Sequence, residues 1–294
     1  MSTEADAPPC PAAPLGAPMG APPAVAGGGS RGSIPPYPAR PPRHITGRTV
    51  AAAVCAVLGT GLIAGALAGS WLVDGPDAPS ATEASYARGA TRWQEVPVDR
   101  LFPPAVHSDA AGPGGAARDW TRLGVAPDGD CTGAFDPLLA RTLAPAGCRR
   151  LLRATYADAT STRVTTVGLL ITDTGRAGMR ALDHRFSDEH LDERTDLMPR
   201  PYAPAGTVAE HFGDAQRASW RITVLTDVPA VVYAVTGFAD GRTGVPPQPA
   251  PEAVARGATT VAAQAGLGND ATALAAQLER GYREAARTPD GETP

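Results

Sequence analysis

Lysine is absent from this 294-residue chain, and asparagine occurs once, at Asn269. All 26 basic residues are therefore arginine, set against 30 acidic ones. With Ala, Gly, Pro and Arg dominant, this usage reads as the codon bias of a GC-rich genome. An arginine-only chain invites a nucleic-acid reading, but a phosphate-binding surface needs a concentrated positive field. No basic block is present, so no nucleic acid is expected as a partner. Gly-rich phosphate loops between a strand and a helix are missing too, as is any H-E-x-x-H spacing for a metal. Asp128-Gly129-Asp130 is a turn signal too short for a calcium loop. No cofactor or metal is expected. One match is accidental: Gly28-Gly29-Ser30-Arg31-Gly32 fits G-x-S-x-G, which works only on a strained strand-to-helix turn. Here it lies in a Gly/Pro-rich leader.

Charge is also missing from Val50 to Val73, a run of 24 residues. As a helix it reaches roughly 36 Å, enough to cross a hydrocarbon core of ~30 Å. The reading assigns 49–73 to a transmembrane helix. Arg31, Arg40, Arg43 and Arg48 precede it, whereas Asp74, Asp77 and Glu83 follow. The bias of basic residues toward the inner side then makes the N-terminus cytoplasmic and the C-terminal domain extracytoplasmic at the cell membrane. Cleavage after Ala66-Leu67-Ala68 is the rival reading, but the 48 residues before the span's start at 49 far exceed a signal-peptide n-region. Two of the acidic residues and four of the arginines precede residue 74, which leaves 28 and 22 beyond it. Gly61, Gly65 and Gly69 recur every four residues, the spacing of close helix packing, so the span is expected to self-associate through that face.

Residues 1–48 read as a disordered cytoplasmic tail rich in Pro, Gly and Ala, with too few apolar side chains to repay ordering. Residues 74–92 read as a linker and 93–242 as the extracytoplasmic domain. Within it Asp136 and Pro137 mark a helix start ahead of Leu138, Leu139 and Leu143. A hairpin follows, with strands near 149–157 and 162–172. Val167, Leu169 and Ile171 take one face of the second strand while Val164 and Leu170 take the other, the mark of a central strand. Met179, Leu182 and Phe186 then share a helical stripe. A second hairpin joins Trp220, Ile222 and Val224, alternating with Arg221 and Thr223, to Val231–Phe238. Helix, hairpin, helix, hairpin implies an α+β two-layer sandwich, with the helices over one face of an antiparallel sheet. Residues 243–251 read as a Pro-rich connector and 252–294 as an Ala-rich helical segment. There Leu274, Leu278 and Tyr282 line up one turn apart, and Glu279 and Arg283 are spaced for a surface pair.

Cys131 and Cys148 are the two cysteines on the outer side, where oxidised thiols persist, and a disulfide is expected between them. Closing that loop contributes about 3 kcal/mol in the chain-entropy model. The densest polar run, Asp183 to Glu193, contains His184 and His190, and His211 lies further on. Imidazoles and carboxylates together suit metal or acid–base chemistry, but dense charge is by default a solvated face.

The strings Cys131-Thr-Gly-Ala-Phe-Asp136, Ala146-Gly147-Cys148-Arg-Arg-Leu-Leu-Arg-Ala-Thr-Tyr156 and Thr166-Val167-Gly168-Leu169 resemble single-pass envelope proteins of GC-rich actinobacteria. The resemblance covers the span and the outer domain and implies an envelope location. It implies no activity and carries over no functional residues. Three readings follow. The first is a membrane-anchored extracytoplasmic binding or scaffold module for an envelope protein or ligand. The second is an envelope hydrolase using the His184, His190 and His211 region. The third is a transmembrane regulator signalling through the tail.

Overall fold

The computed structural model describes residues 80–127 and 129–288. Among the described residues no helix is long and apolar enough to cross a membrane. The span at 49–73 with Gly61, Gly65 and Gly69, and the tail at 1–48, lie outside the described residues.

The described chain is α+β. Helix α1 (Ala81–Gly89) and the short α2 (Val98–Leu101) precede strands β1 (Ala105–Ser108) and β2 (Arg118–Val125). Helix α3 (Pro137–Leu143), strands β3 (Arg150–Asp158) and β4 (Arg163–Ile171) and helix α4 (Arg176–Asp188) come next. After β5 (Ser219–Leu225), β6 (Ala230–Phe238) and the two-residue β7 (Gln248–Pro249), the chain ends in α5 (Ala250–Ala253), α6 (Val261–Gln264) and α7 (Leu267–Arg287). The seven strands form one sheet in the order β1-β2-β3-β4-β6-β5-β7. Every pairing is antiparallel except β5 with β7, so the sheet is mixed.

Alternation along the inner strands places the core on both sides of the sheet. Val164 and Leu170 of β4 join Val231, Tyr233 and Val235 of β6 on one side, against α3 and α4. Val167, Leu169 and Ile171 join Val232 and Ala234 on the other, against Leu274, Leu278 and Tyr282 of α7. Helices therefore cover both faces, which corrects the two-layer expectation of helices over one face. The physical reason is that inner strands apolar on both faces need a cover on each. From the stretch read as an Ala-rich helical segment, α7 supplies the second cover and is part of the same fold.

Two connecting stretches carry regular structure. The stretch read as a linker carries α1, whose start is a capping box: Ser80 Oγ accepts from Glu83 N–H, and the Glu83 carboxylate accepts from Ser80 N–H. That helix is tied to α7, since Tyr282 Oη donates to Gly89 O. The Pro-rich connector contributes β7, which pairs with β5 only at Ser219–Gln248 and Trp220–Pro249. Pro249 offers no N–H to prolong the ladder.

Close approach at the sheet centre depends on one glycine. Gly168 in β4 lies opposite Tyr233 in β6, and a Cβ on Gly168 would collide with the Tyr233 ring. That ring packs edge-on against Phe135, with centroids 5.5 Å apart. Nearby, the buried Thr155 and Thr166 hydroxyls lie 2.8 Å apart, and Tyr202 N–H donates to Thr166 Oγ1 at 3.0 Å. The irregular segment between α4 and β5 is thus pinned to the sheet.

Candidate functional site

A shallow groove of about 400 Å³ follows β5 beyond the end of β7 and is lined by Ile222 to Val224, the end of α4 and Pro251. It lies past the two residues at which β7 pairs with β5. Past Trp220 the outer edge of β5 has no strand partner, and no backbone hydrogen bond from a described residue outside β6 reaches Arg221 to Val224. An open edge presents unpaired N–H and C=O groups.

Each wall follows from local folding. Met179, Leu182 and Phe186 bury the inner stripe of α4, which leaves Asp183 and Ser187 on its outer side. The helix stops at His190, which takes the left-handed conformation at φ 49°. The chain then makes a 3-10 turn at Leu191–Glu193, and the buried Trp220 indole donates to Asp192 O at 2.8 Å. That bond holds Asp192 and Glu193 over the strand edge. Across the edge, Arg221 and Thr223 line the groove, and Arg221 Nε and Thr223 Oγ1 are both out of solvent without a hydrogen-bond partner. One wall is thus rich in carboxylates and the other carries a guanidinium.

One of the three histidines borders the groove. His190 lines the groove, with Nδ1 3.6 Å from Glu193, whereas His184 and His211 are not among its lining residues. His184 is exposed on α4, and His211 is exposed with Nε2 3.4 Å from Glu210. Among the described residues no group of His, Cys, Asp and Glu is arranged to hold a metal ion.

The Cys131 and Cys148 sulfurs are bonded, with their Cα atoms 6.2 Å apart, and the bridge spans α3. Asp136 does begin α3 with Pro137 behind it, but its side chain does not cap the helix. It accepts instead from the buried Arg217 at 2.8 Å and from Arg200 at 3.4 Å. These links fix the cover on that face of the sheet.

A histidine outside the sequence reading has the better defined surroundings. His107 on β1 sits between Asp119 at 2.7 Å and Asp109 at 3.0 Å. Hydrogen bonds to Asp109 and then Asp119 raise its pKa above the ordinary imidazole value. It borders a second groove of about 360 Å³ between the β1–β2 hairpin and α7. The signal available was Asp109 two residues along; Asp119 arrives only through the β1–β2 register.

The chain matches no family model, no curated protein and no solved structure.

Proposed function

We propose that this chain is a membrane-anchored extracytoplasmic binding module, with the groove along β5 as its ligand site. The uncharged run at 49–73 serves as the single-pass anchor, with its N-terminus cytoplasmic and Gly61, Gly65 and Gly69 as a self-association face. The arginines before the run and the acidic residues after it support that orientation. The bonded Cys131–Cys148 pair suits an oxidising compartment.

The observation that carries the binding reading is an unpaired strand edge lying in a walled, polar groove. Open edges are ordinarily shortened, covered or blocked; this one is flanked by side chains that offer recognition. The hydrolase reading needs His184, His190 and His211 at one reacting centre, and the groove is lined by His190 alone of the three.

The test uses intact cells. A photoreactive residue replacing Ser187 in the groove should give a discrete adduct, while the same residue at Val208, 45% exposed elsewhere, should not. Protease added outside should remove the C-terminal domain. Identical adduct patterns from the two positions, or a C-terminal domain spared by the protease, would sink the proposal.

A further inference from the structure

We infer that the groove takes an extended polypeptide segment of an envelope partner, added as a strand to the open edge of β5, with arginine or lysine at alternate positions. This rests on the binding reading above and names its ligand class. Three features of the groove support it.

The first is backbone chemistry. Strand addition requires an edge whose outward N–H and C=O groups are unpaired, and past Trp220 β5 offers those of Ile222 and Val224, the alternate residues turned away from β6. The native β7 already shows the mode in miniature: Gln248 N–H donates to Ala218 O at 3.1 Å, in parallel register. A guest strand would occupy the track that β7 leaves at Pro249.

The second is the alternation of side chains. Trp220, Ile222 and Val224 face the α4 side of the sheet, so Arg221 and Thr223 take the opposite side. The groove is lined by residues of both sets and therefore straddles the edge. A guest strand lying there sends successive side chains to the two sides in turn.

The third is charge. On the α4 side the guest meets Asp183, Asp192 and Glu193. Asp183 is exposed, and no described cation lies within ion-pair distance of the Asp183 or Asp192 carboxylate. Alternate basic residues complement that wall. The residues between them face Arg221, Thr223 and Pro251, where threonine or glutamate fits. A plain basic tract would set half of its charges against Arg221.

The experiment uses the full-length protein in detergent micelles and a synthetic ten-residue peptide alternating arginine with threonine. Two controls share its composition. One is block-ordered, with the arginines together; the other set is N-methylated on either the arginine or the threonine amides. The alternating peptide should bind, and block order should weaken it at least tenfold. Methylation of one set of amides should abolish binding while methylation of the other is tolerated, because only alternate amides face β5. Asp183→Asn, Asp192→Asn and Glu193→Gln combined should also weaken binding at least tenfold. Equal binding of the block-ordered peptide, or of both methylated peptides, would reduce the site to charge attraction and overturn the inference. Absence of binding by the alternating peptide, alongside a groove-specific adduct at Ser187 in cells, would overturn strand addition and leave the binding module standing. Failure of both would remove the module as well.

Discussion

The two faces of the sheet are covered in different ways. On one, the single helix α7 lays Leu274, Leu278 and Tyr282 across the inner strands, and α1 locks onto it. On the other, the cover is assembled from α3, α4 and the irregular chain between α4 and β5, held by separate ties. Those ties are the Cys131–Cys148 bond, the Asp136–Arg217 ion pair and the Trp220–Asp192 hydrogen bond. The continuous helix covers the inner strands of its face and leaves a groove only beside the β1–β2 hairpin. A pieced cover ends short of the sheet edge, and the β5 groove opens at that end.

The α7 face contains a largely buried arginine shared by two carboxylates. Arg163 reaches Asp158 at 3.1 Å and Asp270 at 2.6 Å, and both carboxylates are buried. Removing the shared cation leaves two buried carboxylates without their partner, a change that costs about 3–5 kcal/mol in comparable buried pairs. Arg163→Met should therefore give the largest loss of all, read as a fall in the denaturant midpoint of the outer domain. A change within about 0.5 kcal/mol, the size expected of a neutral surface substitution, would show that α7 is held by packing alone and that the contrast between the faces is smaller than drawn.

On the pieced face the corresponding break is reduction of the Cys131–Cys148 bond, 17 residues apart in sequence. The expected loss is about 3 kcal/mol in the chain-entropy model. Its location sharpens the comparison more than its size. Hydrogen exchange should accelerate around α3 and the Gly129–Leu151 bridge, while α7 amides keep their protection. Uniform acceleration over both faces would mean that the covers unfold as one unit.

Much of this division was visible in the residue pattern. The opposing apolar sets of β4 named a central strand, and both sets are buried. The stripe of α4 was legible because three large side chains repeat at helical spacing on an otherwise polar helix. The β1–β2 hairpin was missed: its eight-residue strand Arg118–Val125 buries Trp120 fully and leaves its other positions half covered or exposed, so period-two alternation is faint. In α1 the signal was the Ser80/Glu83 capping box and not amphipathicity, since Gly89 alone is buried there. The stripe of α7 names an apolar face but not what covers it, this domain or another protein, because a stripe carries no address. The groove was illegible for a related reason. Its walls come from 183–193, 221–224 and Pro251, brought together only by β5 lying at the edge.

The smallest effect is the most discriminating about the α7 face. Asp158 and Asp270 share one arginine, yet their acidities move in opposite directions. Burial works against the charge on Asp158, but hydrogen bonds from the Thr160 hydroxyl and the Arg163 N–H, with the Arg163 charge, outweigh it and hold the pKa below the usual carboxylate value. Burial dominates at Asp270 and raises it, despite Arg163. The linkage signs follow. The stabilisation from Asp158 is present above its unfolded value and is lost as pH falls through its lower folded value. For Asp270 the folded state holds the proton longer than the unfolded state, so stability declines as pH rises from the unfolded toward the folded value. Asp270→Asn should remove that decline and leave stability within about 1 kcal/mol of the parent, since Arg163 keeps its other partner. Asp158→Asn should remove the acid-side loss and cost more at neutral pH, because Asp158 also accepts from Thr162 N–H at 2.8 Å and Arg163 N–H at 2.7 Å. Denaturation midpoints of the two variants, followed from roughly pH 3 to 7 across the carboxylate range, separate these effects. If both variants changed the pH profile in the same sense, the two carboxylates would be acting as one site, and the assignment of opposite roles around Arg163 would fall.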